Sequence, residues 1–121
     1  MSLPYQKSPK INPLKKYDYV HIDDDPIIRH FWNAKAREKG KTLLSLSGKK
    51  ELERHIDTLD KDSSFYIDYH LNEERNGLEL ASLLYKEGFN QLYMATFETD
   101  ILKKSNSNVI QGVVSKTPPW I

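Results

Sequence analysis

From Tyr17 onward, short runs of β-branched and aromatic residues alternate with longer segments whose apolar residues fall on one face. Two parallel strands must be joined by a crossover of a dozen or more residues, and a helix is the usual crossover. The alternation therefore predicts an α/β protein in which helices cover a parallel sheet. The predicted strands are Tyr19-Val20-His21-Ile22, Thr42 to Leu46, Phe65-Tyr66-Ile67, Leu92 to Ala95 and Val109 to Val114.

Four helices are predicted between these strands. Asp25 is suited to cap the first helix and Pro26 to open it. The third helix is predicted from Gly77 to Gly88, and a short fourth helix around Asp100 to Lys104. The apolar positions of the first three helices recur at helical spacing: Ile27, Phe31 and Ala34 before a stop at Gly40, then Leu52, Ile56 and Leu59, then Leu80, Leu83 and Leu84.

The length of the chain, 121 residues, is enough for one domain and too short for two. Residues 1–16 hold Pro4, Pro9 and Pro13 among lysines, without apolar periodicity. These residues are predicted to form an arm or linker. Residues 17–121 then make up the folded domain.

Composition excludes several classes of function. Eighteen Lys and Arg residues balance 17 Asp and Glu residues, and a net charge of +1 provides no overall field for holding nucleic acid or an anionic membrane. No apolar run approaches the ~20 residues of a membrane span. The N-terminus also lacks the apolar core of a signal peptide, so a cytoplasmic location is expected. The absence of cysteine excludes disulfides and thiolate zinc sites.

Chemically active residues follow four of the predicted strands. The first strand runs into Asp23-Asp24-Asp25, the third into Asp68, the fourth into Thr96 and the fifth into Lys116. Ligands bind beyond the carboxyl ends of parallel strands, so these side chains are expected to converge. Carboxylates held together repel each other unless a cation intervenes, and an oxygen-only ligand set favours Mg²⁺. A metal, a hydroxyl and an ammonium around a carboxylate are suited to phosphoryl transfer.

With these residues, the sequence resembles the receiver domains of two-component response regulators. The resemblance covers about Tyr17 to Lys116. It implies a flavodoxin-like three-layer α/β/α sandwich with a five-stranded parallel sheet in the order 2-1-3-4-5. The residues that carry it are Ile22-Asp23-Asp24-Asp25-Pro26, Tyr66-Ile67-Asp68, Asn76-Gly77-Leu78-Glu79-Leu80, Met94-Ala95-Thr96 and Ser115-Lys116.

The resemblance assigns a metal site and a phosphoacceptor. Asp23 and Asp24 correspond to the acidic pair that holds Mg²⁺, with Asp24 the more direct ligand. Asp68 is a further metal ligand, and His70 corresponds to the residue that supplies a backbone carbonyl. Asp68 also corresponds to the phosphoacceptor.

Two further residues are expected to act on the phosphoryl group. Thr96 resembles the family's hydroxyl that bonds a phosphoryl oxygen and responds to phosphorylation. Lys116 resembles the family's ammonium. Asp68, Thr96 and Lys116 are therefore the expected catalytic residues.

The function implied is phosphorelay signalling. Asp68 would take its phosphoryl group from the phosphohistidine of a histidine kinase or a histidine phosphotransfer protein. The isolated domain is expected not to be an enzyme beyond its own phosphorylation and dephosphorylation, and no direct nucleic-acid or membrane partner is expected. The form Asp-Tyr-His-Leu after the third strand resembles receivers fused to hybrid histidine kinases.

The sequence departs from the family pattern at several positions. Val113 stands where the family carries Tyr or Phe, and Phe97 stands where a small residue is usual. Prolines after Lys116 forbid a regular fifth helix, which is expected to be missing or replaced. We expect the arm together with Trp120 to shield the sheet face that this leaves open, with a homodimer as the alternative.

Two other functions fit parts of the pattern. Asp23 and Asp25 match the Asp-x-Asp signature of haloacid-dehalogenase-like phosphatases, in which Asp23 would be the nucleophile. A pseudo-receiver that only binds other proteins is the second alternative.

Overall fold

The structure, a computed structural model, describes residues 16–71, 76–97 and 108–120. From Tyr19 to Ala95, strands and helices alternate along the described chain, as predicted. None of the described helices is long and apolar enough to cross a membrane. The elements are β1 (Tyr19–Ile22), α1 (Pro26–Lys39), β2 (Leu43–Leu46), α2 (Lys49–His55), a 3₁₀ helix (Ile56–Thr58), β3 (Ser64–Ile67), α3 (Gly77–Lys86), β4 (Gln91–Ala95) and β5 (Gly112–Val114).

The five strands form one sheet in the order β2-β1-β3-β4-β5, and every neighbouring pair is parallel. The predicted strand order is therefore confirmed. Ile22 of β1 lies in register with Leu46 of β2 and Ile67 of β3. Because these three strands end level, the residues that follow them leave the sheet at one edge.

Side chains of the strands alternate between two cores. In β1, Val20 and Ile22 belong to the larger core, which also contains Leu52 of α2 and Leu80 of α3. The smaller core is built around Trp32 of α1 and Tyr66 of β3. Since successive side chains of a strand point to opposite faces, α1 covers one face of the sheet and α2 and α3 cover the other.

Local signals set both ends of α1. Asp25 Oδ1 accepts a hydrogen bond from the backbone N–H of Ile27 at 2.9 Å, and Gly40 ends the helix with a φ of 68°. Both predictions are confirmed. The predicted core position at Ile27 is wrong, because this side chain is 76% exposed while Trp32 and Ala36 are buried. The larger side chain of Trp32 occupies the core position, so the face of α1 that carries Ile27 points to solvent.

The second predicted helix is divided into two elements. α2 ends at His55, and the next three residues form the 3₁₀ helix instead of continuing α2. Leu52 and Leu59 are both buried, although Leu59 already has extended backbone. α3 begins at Gly77 as predicted and ends at Lys86, and Gly88 follows with a φ of 100°.

Two predicted elements lie wholly or partly outside the described residues. These are the arm, of which only Lys16 is described, and the short helix around Asp100 to Lys104. β5 is shorter than predicted, since it covers only Gly112–Val114. Val109 and Ile110 precede it outside the strand, although Ile110 is buried.

The described residues after Lys116 pack an aromatic side chain against the sheet. None of the described residues after Lys116 is helical. The ring of Trp120 packs edge-on against Trp32, with centroids 5.8 Å apart, and against Tyr19 at 5.4 Å. Trp120 therefore shields part of the face over β1 and α1, as expected, whereas the expected share of the arm lies outside the described residues.

Replacing Trp120 with Ala should lower the free energy of unfolding by about 2–3 kcal/mol, toward the low end for loss of a large aromatic side chain because Trp120 is half-buried. Urea denaturation measures the change. Tyr85→Ala is the matched control, since Tyr85 is 52% exposed on α3 and should change stability by less than about 1 kcal/mol. Equal losses in the two variants would contradict a packing role for Trp120.

Candidate functional site

Two carboxylates stand side by side at the carboxyl edge of the sheet. Asp23 directly follows β1 and Asp68 directly follows β3. The sheet hydrogen bonds continue through both residues: the N–H of Asp23 donates to the carbonyl of Leu46 at 3.0 Å, and that of Asp68 to the carbonyl of Ile22 at 2.8 Å. The two residues are only 0% and 2% exposed. The fold thus places two acids on rigid backbone in a buried setting.

Lys116 reaches these acids from the segment that follows β5, an edge strand of the sheet. Its Nζ lies 3.2 Å from Oδ2 of Asp23 and 3.2 Å from Oδ2 of Asp68. The side chain of Lys116 is only 13% exposed. The predicted meeting of these three residues is what the structure shows, although Lys116 lies two positions beyond the last residue of β5.

The pKa shifts of the three groups follow from burial and mutual charge. Burial raises the pKa of Asp23, against the hydrogen bond from the Asp25 amide and the charge of Lys116. Burial raises the pKa of Asp68, and the charge of Asp23 raises it further, while Lys116 opposes both. Burial alone would lower the pKa of Lys116, but the two carboxylates outweigh it and raise the pKa.

The acids also meet the requirements of a cation site. Asp23, Asp24 and Asp68 can each direct one carboxylate oxygen to within 4.8 Å of the others. Oδ2 of Asp23 is buried and accepts no hydrogen bond from any described residue, although the ammonium of Lys116 lies 3.2 Å away as an ion-pair partner. Three carboxylates against one ammonium leave an excess of negative charge. An oxygen-only set of this kind fits Mg²⁺ or another hard divalent cation.

Two side chains of α1 donate hydrogen bonds to the backbone of site residues. Trp32 Nε1 donates a hydrogen bond to the backbone carbonyl of Lys116 at 2.9 Å, and Arg29 Nη1 donates to the carbonyl of Asp23 at 2.8 Å. Sequence reasoning missed both roles. Trp32 and Lys116 are 84 positions apart, so no local pattern could have paired them.

His21 completes the support behind Trp32. Its ring stacks on Trp32 with centroids 4.0 Å apart, and its Nδ1 lies 3.1 Å from Ser45 Oγ. Burial lowers the pKa of His21 to about 3, and the positive charges of Lys116 and Arg29 lower it as well. His21 is therefore a neutral packing residue at neutral pH.

The remaining predicted site residues are placed as follows. Thr96 directly follows β4, is 1% exposed, and donates its backbone N–H to the carbonyl of Val114 at 3.0 Å. The backbone N–H of His70 lies 3.3 Å from Asp68 Oδ1, and the predicted metal role of the His70 carbonyl stays a prediction. Phe97 is 78% exposed, with its ring centroid 5.1 Å from Lys116 Nζ. This aromatic ring therefore stands beside the ammonium at the entrance of the site.

A close backbone approach explains the glycine at the start of α3. The backbone N–H of Gly77 donates to the carbonyl of Tyr69 at 2.8 Å. A Cβ atom at Gly77 would lie 2.2 Å from the carbonyl oxygen of Asp68, which is too close for any other residue. Asn76 caps the helix by accepting a hydrogen bond from the N–H of Glu79 at 3.0 Å. α3 thus begins in direct contact with the backbone of Asp68.

No protein-family model, no curated protein and no solved structure matches this chain. Its chemistry is therefore inferred from its own site. The buried carboxylate of Asp68 lies 3.2 Å from the ammonium of Lys116 and belongs to a candidate cation site. This combination suits transfer of an anionic group, because positive charge is in place before the group arrives.

The variant Asp68→Asn should stabilise the metal-free protein at pH 7 by about 1–2 kcal/mol, since it removes one of two buried carboxylates that repel each other and leaves Lys116 paired with Asp23. The pKa of Asp68 is raised in the folded state. Wild-type stability therefore falls as the pH rises from the ordinary aspartate value through the raised value. The Asn variant does not titrate, so its advantage should shrink at acidic pH.

Urea denaturation in the presence of a chelator, repeated across pH 3 to 8, measures this difference. Asp62→Asn is the control, because Asp62 lies in an exposed turn and its loss should have little effect. A variant Asp68→Asn that is less stable than the wild type at pH 7 would contradict the electrostatic account.

Mg²⁺ should stabilise the wild type by about 1.4 kcal/mol at ten times its dissociation constant, because it binds only the folded state. The variant Asp24→Asn should lose most of this gain, since Asp24 supplies one of the three clustered carboxylates. Thermal denaturation with and without Mg²⁺ measures the effect. Asp62→Asn should keep the full gain, and an equal loss in both variants would exclude binding at the cluster.

Proposed function

We propose that this chain is a receiver domain that accepts a phosphoryl group on Asp68. The donor would be the phosphohistidine of a histidine kinase or a histidine phosphotransfer protein. The observation that carries the proposal is the position of Lys116 Nζ, 3.2 Å from the carboxylates of both Asp68 and Asp23. The strand order β2-β1-β3-β4-β5, in agreement with a flavodoxin-like fold, supports it.

The transfer requires Asp68 in its ionised form. One of its carboxylate oxygens attacks phosphorus, the phosphorus–nitrogen bond of the phosphohistidine breaks, and the imidazole leaves with the electron pair. Burial disfavours the ionised form of Asp68. The ammonium of Lys116 favours the ionised form, because it opposes the rise in the pKa of Asp68. Lys116 is thus required before the donor arrives as well as during the transfer.

Stabilisation of the transferred group would come from three sides. Asp23, Asp24 and Asp68 would hold Mg²⁺, which when bound neutralises charge on the phosphoryl oxygens. Lys116 would follow the added charge and shift from the Asp68 carboxylate toward the phosphoryl oxygens. Thr96, buried at the end of β4, is positioned one residue beyond the register of Asp68, where its hydroxyl could bond a phosphoryl oxygen.

Signalling would follow from the change in charge. The acyl phosphate would carry about −1.5 to −2 charges at pH 7 in place of the single charge of the Asp68 carboxylate, a net change of about −0.5 to −1. The two contacts of Lys116 and the position of Thr96 would then change together, which biases the segments after β4 and β5. Val113 is a half-buried aliphatic residue of β5, so this switch would not use an aromatic rotamer on that strand.

The position of Asp25 favours this proposal over the phosphatase alternative. A phosphatase of the Asp-x-Asp type would need the second aspartate free to protonate a leaving group. The carboxylate of Asp25 instead accepts the cap hydrogen bond from Ile27, and the residue is exposed. Asp68, in contrast, is buried beside the cation site and would have no assigned role in the phosphatase.

We expect a phosphorylated histidine phosphotransfer domain to transfer its phosphoryl group to the wild type, and the variant Asp68→Asn to take up none. Intact-protein mass spectrometry measures the gain of one phosphoryl group. Borohydride reduction followed by peptide mapping identifies the residue that carries the acyl phosphate. Asp62→Asn is the control and should be labelled at the wild-type rate.

Three outcomes would contradict the proposal. Label on Asp23 instead of Asp68 would indicate the phosphatase-like chemistry. Equal labelling of the wild type and Asp68→Asn would place the acceptor elsewhere. An NMR spectrum unchanged by Mg²⁺ and beryllofluoride, together with no labelling, would indicate a pseudo-receiver.

A further inference from the structure

A groove runs between α2 and α3, on the face of the sheet opposite α1. Its volume is about 380 Å³. Aliphatic side chains form its floor and charged side chains its rim, and it lies apart from the acidic site. The floor consists of Leu52, Ile56, Leu80, Leu83 and Leu84, and the rim of Lys49, Glu53, Asp57 and Glu87.

We propose that the N-terminal segment, residues 1–15, docks in this groove. The point of attachment is the first reason. Lys16 Nζ lies 3.4 Å from Asp60 Oδ2, and Asp60 follows the 3₁₀ helix that lines the groove. Tyr17 is buried in the same core cluster as Leu52 and Leu80. The chain therefore enters β1 from the side of the sheet on which the groove lies.

Charge complementarity is the second reason. Residues 1–15 contain Lys7, Lys10 and Lys15 and no acidic residue. On the rim, Lys49 already pairs with Glu53 at 2.8 Å. Asp57 and Glu87 are exposed and form no ion pair with a described residue. The net charge of the rim is thus negative and faces a positively charged segment.

The apolar positions of the segment match the floor of the groove. Leu3, Tyr5, Ile11 and Leu14 are its large apolar residues. Prolines at positions 4, 9 and 13 disfavour a helix and favour an extended chain. Fifteen extended residues span up to about 50 Å, whereas the ten-residue α3 is only ~15 Å long. The segment is therefore long enough to follow the groove along its whole length.

The α1 face, on which we expected the segment from the sequence, is a less favourable docking surface for it. Trp120 already covers Trp32 and Tyr19 there. Apart from the acids at the carboxyl edge of the sheet, the described residues form no rim of unpaired acids beside that aromatic cluster. Docking in the groove is independent of phosphorylation, because none of its residues belongs to the Asp68 site.

The experiment uses the absence of cysteine from the chain. In the full chain, Ser8→Cys provides a single thiol to which a nitroxide label can be attached. Methyl NMR should show strong broadening at Ile56, Leu83 and Leu84 and little at Val114. The charge reversals Asp57→Lys and Glu87→Lys should each weaken docking by about two- to fivefold, the range for exposed ion pairs.

Glu38→Lys is the matched control, because Glu38 is an exposed acid at the end of α1 on the other face. It should leave the broadening unchanged. Broadening around Trp120 and Val114 would place the segment on the α1 face and overturn the proposal. Broadening in a mixture of labelled and isotope-enriched chains would assign the groove to a second copy, and no broadening at all would exclude docking.

Discussion

The ammonium of Lys116 holds together two buried carboxylates that would otherwise repel each other. Asp23 and Asp68 follow neighbouring parallel strands that end level, so the sheet itself forces their proximity. Without a cation between them, one carboxyl would tend to take up a proton. Lys116 supplies that cation from two residues beyond β5, and Trp32 holds its backbone in place. The geometry of this edge therefore depends on one ion cluster.

This ion cluster has a cost in stability. Burial raises the pKa of both acids, which means that the folded state resists having both of them charged. Active sites often carry such a cost, and the rest of the fold offsets it. Here the compensation comes from two hydrophobic cores, of which the smaller is rich in aromatic side chains. The ring of Trp32 stacks on His21 and packs edge-on against Trp120, and its Nε1 donates a hydrogen bond to the backbone of Lys116.

The two faces of the sheet are completed in different ways. On the α1 side, Trp120 packs edge-on against Tyr19 and Trp32 and covers part of the sheet. On the other side, α2 is short and is followed by a 3₁₀ helix, and a groove lies between α2 and α3. This groove has an apolar floor and an acidic rim.

Local features of the sequence determined most of the strand positions and the acids at the strand ends, whereas the strand order was expected from the resemblance. Alternation, turn residues and caps act within a few positions, so Asp25 and Gly40 could be assigned without a structure. The tertiary structure decided which face of α1 is buried, where α2 ends, and how Lys116 is held. Trp32 and not Ile27 is buried, because burial on α1 depends on which side chains pack against the sheet. The hydrogen bond from Trp32 to Lys116 joins residues 84 positions apart. Contacts of that separation exist only once the chain is folded.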